Sequence, residues 1–274
     1  MSIIAEGPLS TARLDVHHIH VRPDAPKGRV LLLGGSNFDL SLKRSFLRSP
    51  LVEHFECLTY EPRGIGRTGP LGAPTMADYA MDAAAVLDAA GWADALVVGE
   101  SFGGMTALHL AALAPARVRR LVLASATAGG AGGSSHDISE FLSLPREAAA
   151  KAALHLQDTR NRALEAADPA AFAQKLADRC AFETAFARSS VATGGYGALL
   201  EARRAHDVWD ALPAIMCPAL VVAGSFDAQA PLAAQTAMAN RLPHGTRMVH
   251  PGGHGLLFDG RTVGEAVVSW LTAG

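Results

Sequence analysis

The chain is poor in cysteine, in charge and in long apolar runs, and each shortage excludes something. Its three cysteines, Cys57, Cys180 and Cys217, are odd in number and scattered. That pattern argues against both a disulfide scaffold and a zinc site, and the expectation is a cytoplasmic protein. Only 18% of residues are charged, with 24 Lys and Arg against 26 Asp and Glu and a net charge of −2. Neither nucleic acid nor an anionic membrane surface is an expected partner for such a balance. No window reaches the roughly 18 apolar residues that span a bilayer. The opening MSIIAEGPLS lacks the basic flank and apolar run of a secretory signal. No internal repeat is visible. What remains is a chain of 274 residues, 49% hydrophobic, long enough for one large α/β domain or a core with a smaller cap.

Short apolar runs alternate with helical segments through the first half. Residues 13–21, 30–33, 55–60, 95–98 and 121–124 read as strands, the first near a sheet edge. Residues 76–90 read as a helix with Thr75 as N-cap, stopping at Gly91, and Phe102–Leu113 as a helix apolar almost all round, ended by Pro115. Such alternation predicts a mostly parallel central sheet flanked by helices. The pattern breaks at a glycine-rich hinge over 127–135, and 136–210 is alanine-rich and charged without a strand-like run. Helical periodicity over Arg146–Gln157 and 169–187 marks this part as an inserted cap. The expected division is therefore core over 1–133 and 211–274, and cap over 134–210. Core character returns in the strand Ala219–Gly224, a helix over 231–242, a strand over 247–250 and an amphipathic helix over 262–271.

The most informative stretch is Gly99-Glu100-Ser101-Phe102-Gly103-Gly104, placed between a strand and a helix. Glycines two residues either side of the serine permit a turn too tight for side chains, and hold the serine in a strained conformation. Such a turn lifts Oγ off the sheet edge, where a base and a substrate carbonyl can both reach it. A serine hydroxyl needs a base, and the base needs an orienting carboxylate. Asp227, just past the strand Ala219–Gly224, is the acid candidate, with Asp259 as rival. His254, in Gly252-Gly253-His254-Gly255, is the base candidate, ahead of His250 and His244. The expected donors to an oxyanion are the backbone N–H groups of Phe102 and Ser36, with Asn37 or Gly35 as alternatives to Ser36. His17, His18 and His20 read as a solvated strand rather than a metal site, and His109 as a packed core histidine.

With these residues in place the chain resembles the α/β-hydrolase superfamily over nearly its whole length. The elbow carries the resemblance, together with Glu61-Pro62-Arg63-Gly64-Ile65-Gly66-Arg67-Thr68 and the acid and histidine loops. It is most similar to the small esterases, enol-lactonases and carbon–carbon hydrolases, which carry a helical cap after the sixth strand. Two departures stand out: Gly34-Gly35 replaces the usual His-Gly before the oxyanion residue, and Glu61 replaces an aspartate. The resemblance implies a Ser101, His254, Asp227 hydrolase of a small-molecule ester or lactone, working without cofactor or metal. A diketone carbon–carbon hydrolase, a perhydrolase-like activity and a non-catalytic binding module on the same fold are the alternatives. Phe141, Leu144, Phe182, Phe186 and Trp209, with Leu142 and Tyr196, are the candidate pocket lining. A homodimer is compatible with the sequence, which does not fix the oligomeric state.

Overall fold

The computed structural model describes residues 1–69, 72–258 and 260–273. Eight strands form one sheet: β1 (Ser2–Ser10), β2 (Asp15–Arg22), β3 (Arg29–Leu33), β4 (Glu56–Tyr60), β5 (Ala95–Glu100), β6 (Val118–Ala124), β7 (Ala219–Gly224) and β8 (Gly245–His250). Their order across the sheet is β1-β2-β4-β3-β5-β6-β7-β8. β2 is antiparallel to both β1 and β4, and every later pairing is parallel.

The strands sort their side chains by the period of two. Leu31, Leu33, Val97, Leu121, Leu123 and Val221 face one layer. That layer is covered by α2 (Met76–Ala89), α3 (Phe102–Leu113) and α8 (Leu232–Arg241), through residues such as Ala83, Leu108 and Met238. Val30, Leu32, Val98, Val122 and Val222 face the opposite layer, closed by α1 (Pro50–His54) and α9 (Thr262–Thr272) through Leu51, Val52, Val263 and Val267. Burial on both faces is why these strands are continuous apolar runs. Thr75 caps α2 as expected, in a reciprocal box: its side chain accepts from the Asp78 N–H, and its own N–H donates to the Asp78 carboxylate.

The edge differs from expectation. β1 was not anticipated, because its side chains are mostly exposed or half-buried and carry no core signal. It covers β2, so the histidines there are not on a solvated edge. His18 is buried with Nδ1 2.8 Å from the Gly7 carbonyl oxygen, and His20 Nε2 lies 3.0 Å from Glu56.

Between β6 and β7 the chain is helical: α4 (Arg146–Gln157), α5 (Arg160–Ala167), α6 (Pro169–Phe186), a π turn at Ala187–Val191, and α7 (Gly195–Arg204). A third apolar cluster joins this segment to the sheet domain, with Phe186, Leu199 and Leu200 against Ile65, Tyr79, Phe102 and Met105. Polar clamps reinforce it. Ser190 Oγ accepts the Gly66 N–H at 2.9 Å, and Ser189 donates to Asp39 at 2.8 Å. Gly195 is required where α7 meets the loop after β4, since a Cβ there would lie 2.0 Å from the Gly64 carbonyl oxygen.

Candidate active site

The turn from β5 into α3 is as tight as its glycines suggest. Ser101 sits at φ 54°, ψ −117°, a backbone conformation that costs a non-glycine residue on the order of 1–3 kcal/mol. A Cβ at position 103 would lie 2.1 Å from the Leu33 carbonyl oxygen, and one at position 99 would lie 2.4 Å from the Gly103 oxygen. The Ser101 N–H is tied to the Ala124 carbonyl at 2.8 Å, so the apex is fixed from both sides.

The loops after β5, β7 and β8 meet at the carboxyl edge of the sheet, where ligand sites of such folds gather. Ser101 Oγ is 2.8 Å from His254 Nε2, and His254 Nδ1 is 2.9 Å from Asp227 Oδ2. Asp227 Oδ1 accepts the N–H groups of Gln229 and Ala230, each at 2.9 Å. These bonds hold the carboxylate's face toward the imidazole. All three residues are buried. A carboxylate accepts only, so Nδ1 carries the ring proton, and the Nε2 lone pair faces both the serine hydroxyl and the Gln229 amide nitrogen, each at 2.8 Å. The rival acid, Asp259, lies outside the described residues.

The loop after β3 lies beside the serine. A Cβ on Gly35 would contact the Ser101 Cβ at 3.8 Å, and Ser36 is buried on the same cavity. Phe102 opens α3, so its N–H has no partner within the helix. Glu61, fully buried, accepts from the Leu40 N–H at 3.0 Å, the Arg67 N–H at 2.5 Å and the Arg67 guanidinium at 2.8 Å. The extra methylene over aspartate thus reaches from the β4 loop to the loop that carries Ser36.

The cavity at Ser101 has a volume of about 120 Å³, room for roughly four waters at bulk density. Its wall is mostly polar: Lys43, Glu100, Gln157, Arg179, Tyr196 and Gln229 join Ser36, Ser101 and His254. Burial pushes the Lys43 ammonium down to about 8. Burial likewise raises the Glu100 carboxyl, whose Oε1 has no hydrogen-bond partner. Burial raises the Tyr196 phenol to about 12, while a hydrogen bond with Ser36 pulls the other way. A larger and more apolar cavity of about 500 Å³ lies beside His109, Met76 and α7. It contains none of the serine, histidine and aspartate side chains just described.

Of the expected lining, Tyr196 faces the Ser101 cavity and the other candidates do not. Phe186 is fully buried between Phe182 and Tyr196, and Phe182 lies beneath Lys43 and Arg179. Phe141 lines a separate cavity with His136 and His155. Leu142 and Leu144 are exposed. Trp209 packs on Gly132 and stacks with Arg241, on the flank of the first core layer. The apolar residues of the inserted segment were spent on packing, and its polar residues reach the site instead. Gln157, Arg179, Gln229, Lys43 and Glu100 went unpredicted; among them only Glu100, next to the nucleophile candidate, had a sequence signal.

The α4 C-terminus is stitched to the site loops. The His254 N–H donates to the Gln157 carbonyl at 2.7 Å, the Ala228 N–H to Leu156 at 3.1 Å, and the Thr159 N–H to Phe226 at 3.0 Å.

Fold and site together define a hydrolase of the α/β class. A family model described as the alpha/beta hydrolase fold matches residues 32–261, and the chain belongs to that family. Two relatives carry the provisional name carbamate hydrolase RutD. The one from Caulobacter sp. (strain K31) is 31% identical over 247 residues, covering 87% of this chain and 88% of its own length. The one from Variovorax paradoxus (strain S110) is 31% identical over 240 residues, covering 86% and 88%. Among solved structures, the enol-lactonase from Burkholderia xenovorans LB400 is similar with a TM-score of 0.76 at 23% identity, covering 97% of this chain and 100% of that one. The 2-hydroxy-6-oxo-6-phenylhexa-2,4-dienoate hydrolase from Rhodococcus sp. strain RHA1 is similar with a TM-score of 0.78 at 20% identity, covering 99% of both. At these identities the structural likeness establishes the fold.

Proposed function

We propose that this chain is a serine hydrolase that cleaves a small, polar ester or lactone through an acyl-enzyme. The observation that carries the reading is the buried, continuous line from Asp227 through His254 to Ser101, with contacts of 2.9 and 2.8 Å. His254 takes the proton of Ser101 as Oγ attacks the carbonyl, and Asp227 stabilises the imidazolium. The N–H groups of Phe102 and Ser36 receive the oxyanion. The leaving group departs with the proton from His254, and water releases the acyl group by the same route. The helices between β6 and β7, residues 134–210, act as the cap that closes the cavity. Among the described residues no helix is long and apolar enough to cross a membrane. The odd, scattered cysteines, free in the structure, support a cytoplasmic location.

The cavity sets the substrate's size. A volume of about 120 Å³ with a polar wall favours a short acyl group over a long chain or an aryl diketone. The same smallness supports a carbamate as the second reading, because the relatives' name gives that class and a carbamate offers a compact carbonyl to the same nucleophile.

Hydrolysis of p-nitrophenyl acetate, hexanoate and N-unsubstituted carbamate, by wild type and Ser101→Ala, tests both readings. We expect acetate to exceed hexanoate at least tenfold. Ser101→Ala should lose on the order of 10³-fold or more in kcat, together with the covalent adduct of a fluorophosphonate in intact mass. Preference for the carbamoyl group moves the assignment to carbamates. Full activity in Ser101→Ala overturns the mechanism.

A further inference from the structure

Three side chains on the cavity wall form hydrogen bonds that can run in one direction only. Arg179, on α6, donates from Nη1 to Gln157 Oε1 at 2.9 Å. Gln157 Nε2 faces Gln229 Oε1 at 3.4 Å, and Gln229 Nε2 stands 2.8 Å from His254 Nε2. A carboxamide turned by 180° exchanges donor for acceptor, so two amides in series could be oriented either way. The guanidinium removes that freedom because it has donors and no acceptor. Gln157 must show Arg179 its oxygen, and its NH₂ then faces Gln229. Gln229 must in turn show Gln157 its oxygen, which leaves its own NH₂ against His254.

At the far side of the ring, Asp227 demands a proton on Nδ1. Asp227 fixes that proton in either charge state, and the Gln229 end selects between the two the neutral imidazole with its lone pair on Nε2, the form that can accept the serine proton. An imidazolium would set its Nε2–H against the Gln229 NH₂, donor against donor.

We propose that Gln229, oriented by Arg179 through Gln157, is a positioning residue that favours the neutral form of His254 in the resting enzyme, sharing the Nε2 lone pair with the Ser101 hydroxyl. The inference rests on the serine-hydrolase reading above. The other ionisable groups around His254 are Asp227 from the loop after β7, Glu100 from β5, and Lys43, Arg179 and Tyr196 across the cavity. Asp158 and Arg160 lie beside Gly253 on the side of α4. Neutral substitution at 229 changes none of these charges and leaves the Arg179–Gln157 bond intact, so a change in its pH response reports the amide; in Gln157→Leu, Arg179 keeps its ion pair with Glu183.

The test is the rate of fluorophosphonate inactivation against pH, which needs the nucleophile and base but no knowledge of the substrate. In Gln229→Leu the acid limb of the profile should move up by about one pH unit, the worth of one neutral hydrogen bond reversed. Gln157→Leu leaves Gln229 against His254 yet frees it to turn, and should move the limb in the same direction by a smaller amount. A purely structural role would lower the plateau and leave the limb where it is in both variants, and that result overturns the inference. If Gln229→Leu does not fold, Gln157→Leu decides. If wild type takes no phosphonate at any pH, the serine-hydrolase reading falls. The imidazole ¹⁵N signals of His254 followed through pH in wild type and Gln157→Leu then decide the inference separately: a titration moved upward supports it, and an unmoved one refutes it.

Discussion

At the scale of the residue, backbone strain and side-chain chemistry coincide at Ser101. Its positive φ is imposed by the close approach of Gly103 to the Leu33 carbonyl and of Gly99 to Gly103. Glycine tolerates that φ and alanine does not. Ser101→Gly should therefore be more stable than Ser101→Ala by about 1 kcal/mol in urea titrations, although on the proposed mechanism both variants should be inactive. Equal stabilities would mean that the elbow stores no strain. Gly103→Ala should cost at least about 2 kcal/mol, since its Cβ would meet backbone rather than a movable side chain. These features were legible in the sequence because a tight turn advertises itself by its glycines. The contacts of Gln229 were not. Its partners lie 72 and 25 residues away, and no local pattern links glutamines that meet through tertiary packing.

Among the elements, those with a regular burial pattern were legible, and those shaped by a neighbour were not. Phe102–Leu113 and Ala219–Gly224 follow from near-continuous apolar runs bounded by proline or glycine, and Arg146–Gln157 from helical periodicity with one buried stripe. β1 is exposed along much of its length and gave no such signal. The junction between α4 and the histidine loop matters most to the site. The Gln157 carbonyl holds the His254 N–H, and a Cβ on Gly253 would lie 2.5 Å from that carbonyl oxygen. Gly253→Ala must push α4 and the loop apart. On the proposed mechanism a displacement near 1 Å at His254 costs about 10²-fold in rate, so kcat/KM should fall by that order while the thermal midpoint moves by only a few degrees. An unchanged kcat/KM would show that the loop holds His254 without help from α4.

Across the whole molecule, the sheet domain and the inserted helices are joined by groups that resist protonation. His206, just past α7, is buried, with Nε2 facing the Thr127 carbonyl at 2.9 Å and Nδ1 facing His109 on α3 at 3.1 Å. Burial lowers its pKa from 6.5 to about 4, and burial also lowers that of His109. The direction of the linkage follows. Between pH 6.5 and 4 the unfolded chain binds a proton at His206 that the folded chain refuses, so stability is complete above about 6.5 and drains away as pH falls. A shift of this size corresponds to about 3 kcal/mol once pH drops below 4. The thermal midpoint should therefore decline steadily from pH 7 to pH 4.5, and His206→Gln should flatten that decline even if it lowers the midpoint at neutral pH. Carboxylates with lowered pKa values, such as Asp78 in its box with Thr75, add acid sensitivity of their own, and they add it equally to both proteins. The slope difference between wild type and His206→Gln isolates the buried histidine. If the two slopes coincide, acid weakens the molecule through its carboxylates, and the junction between α3 and α7 plays no part in it.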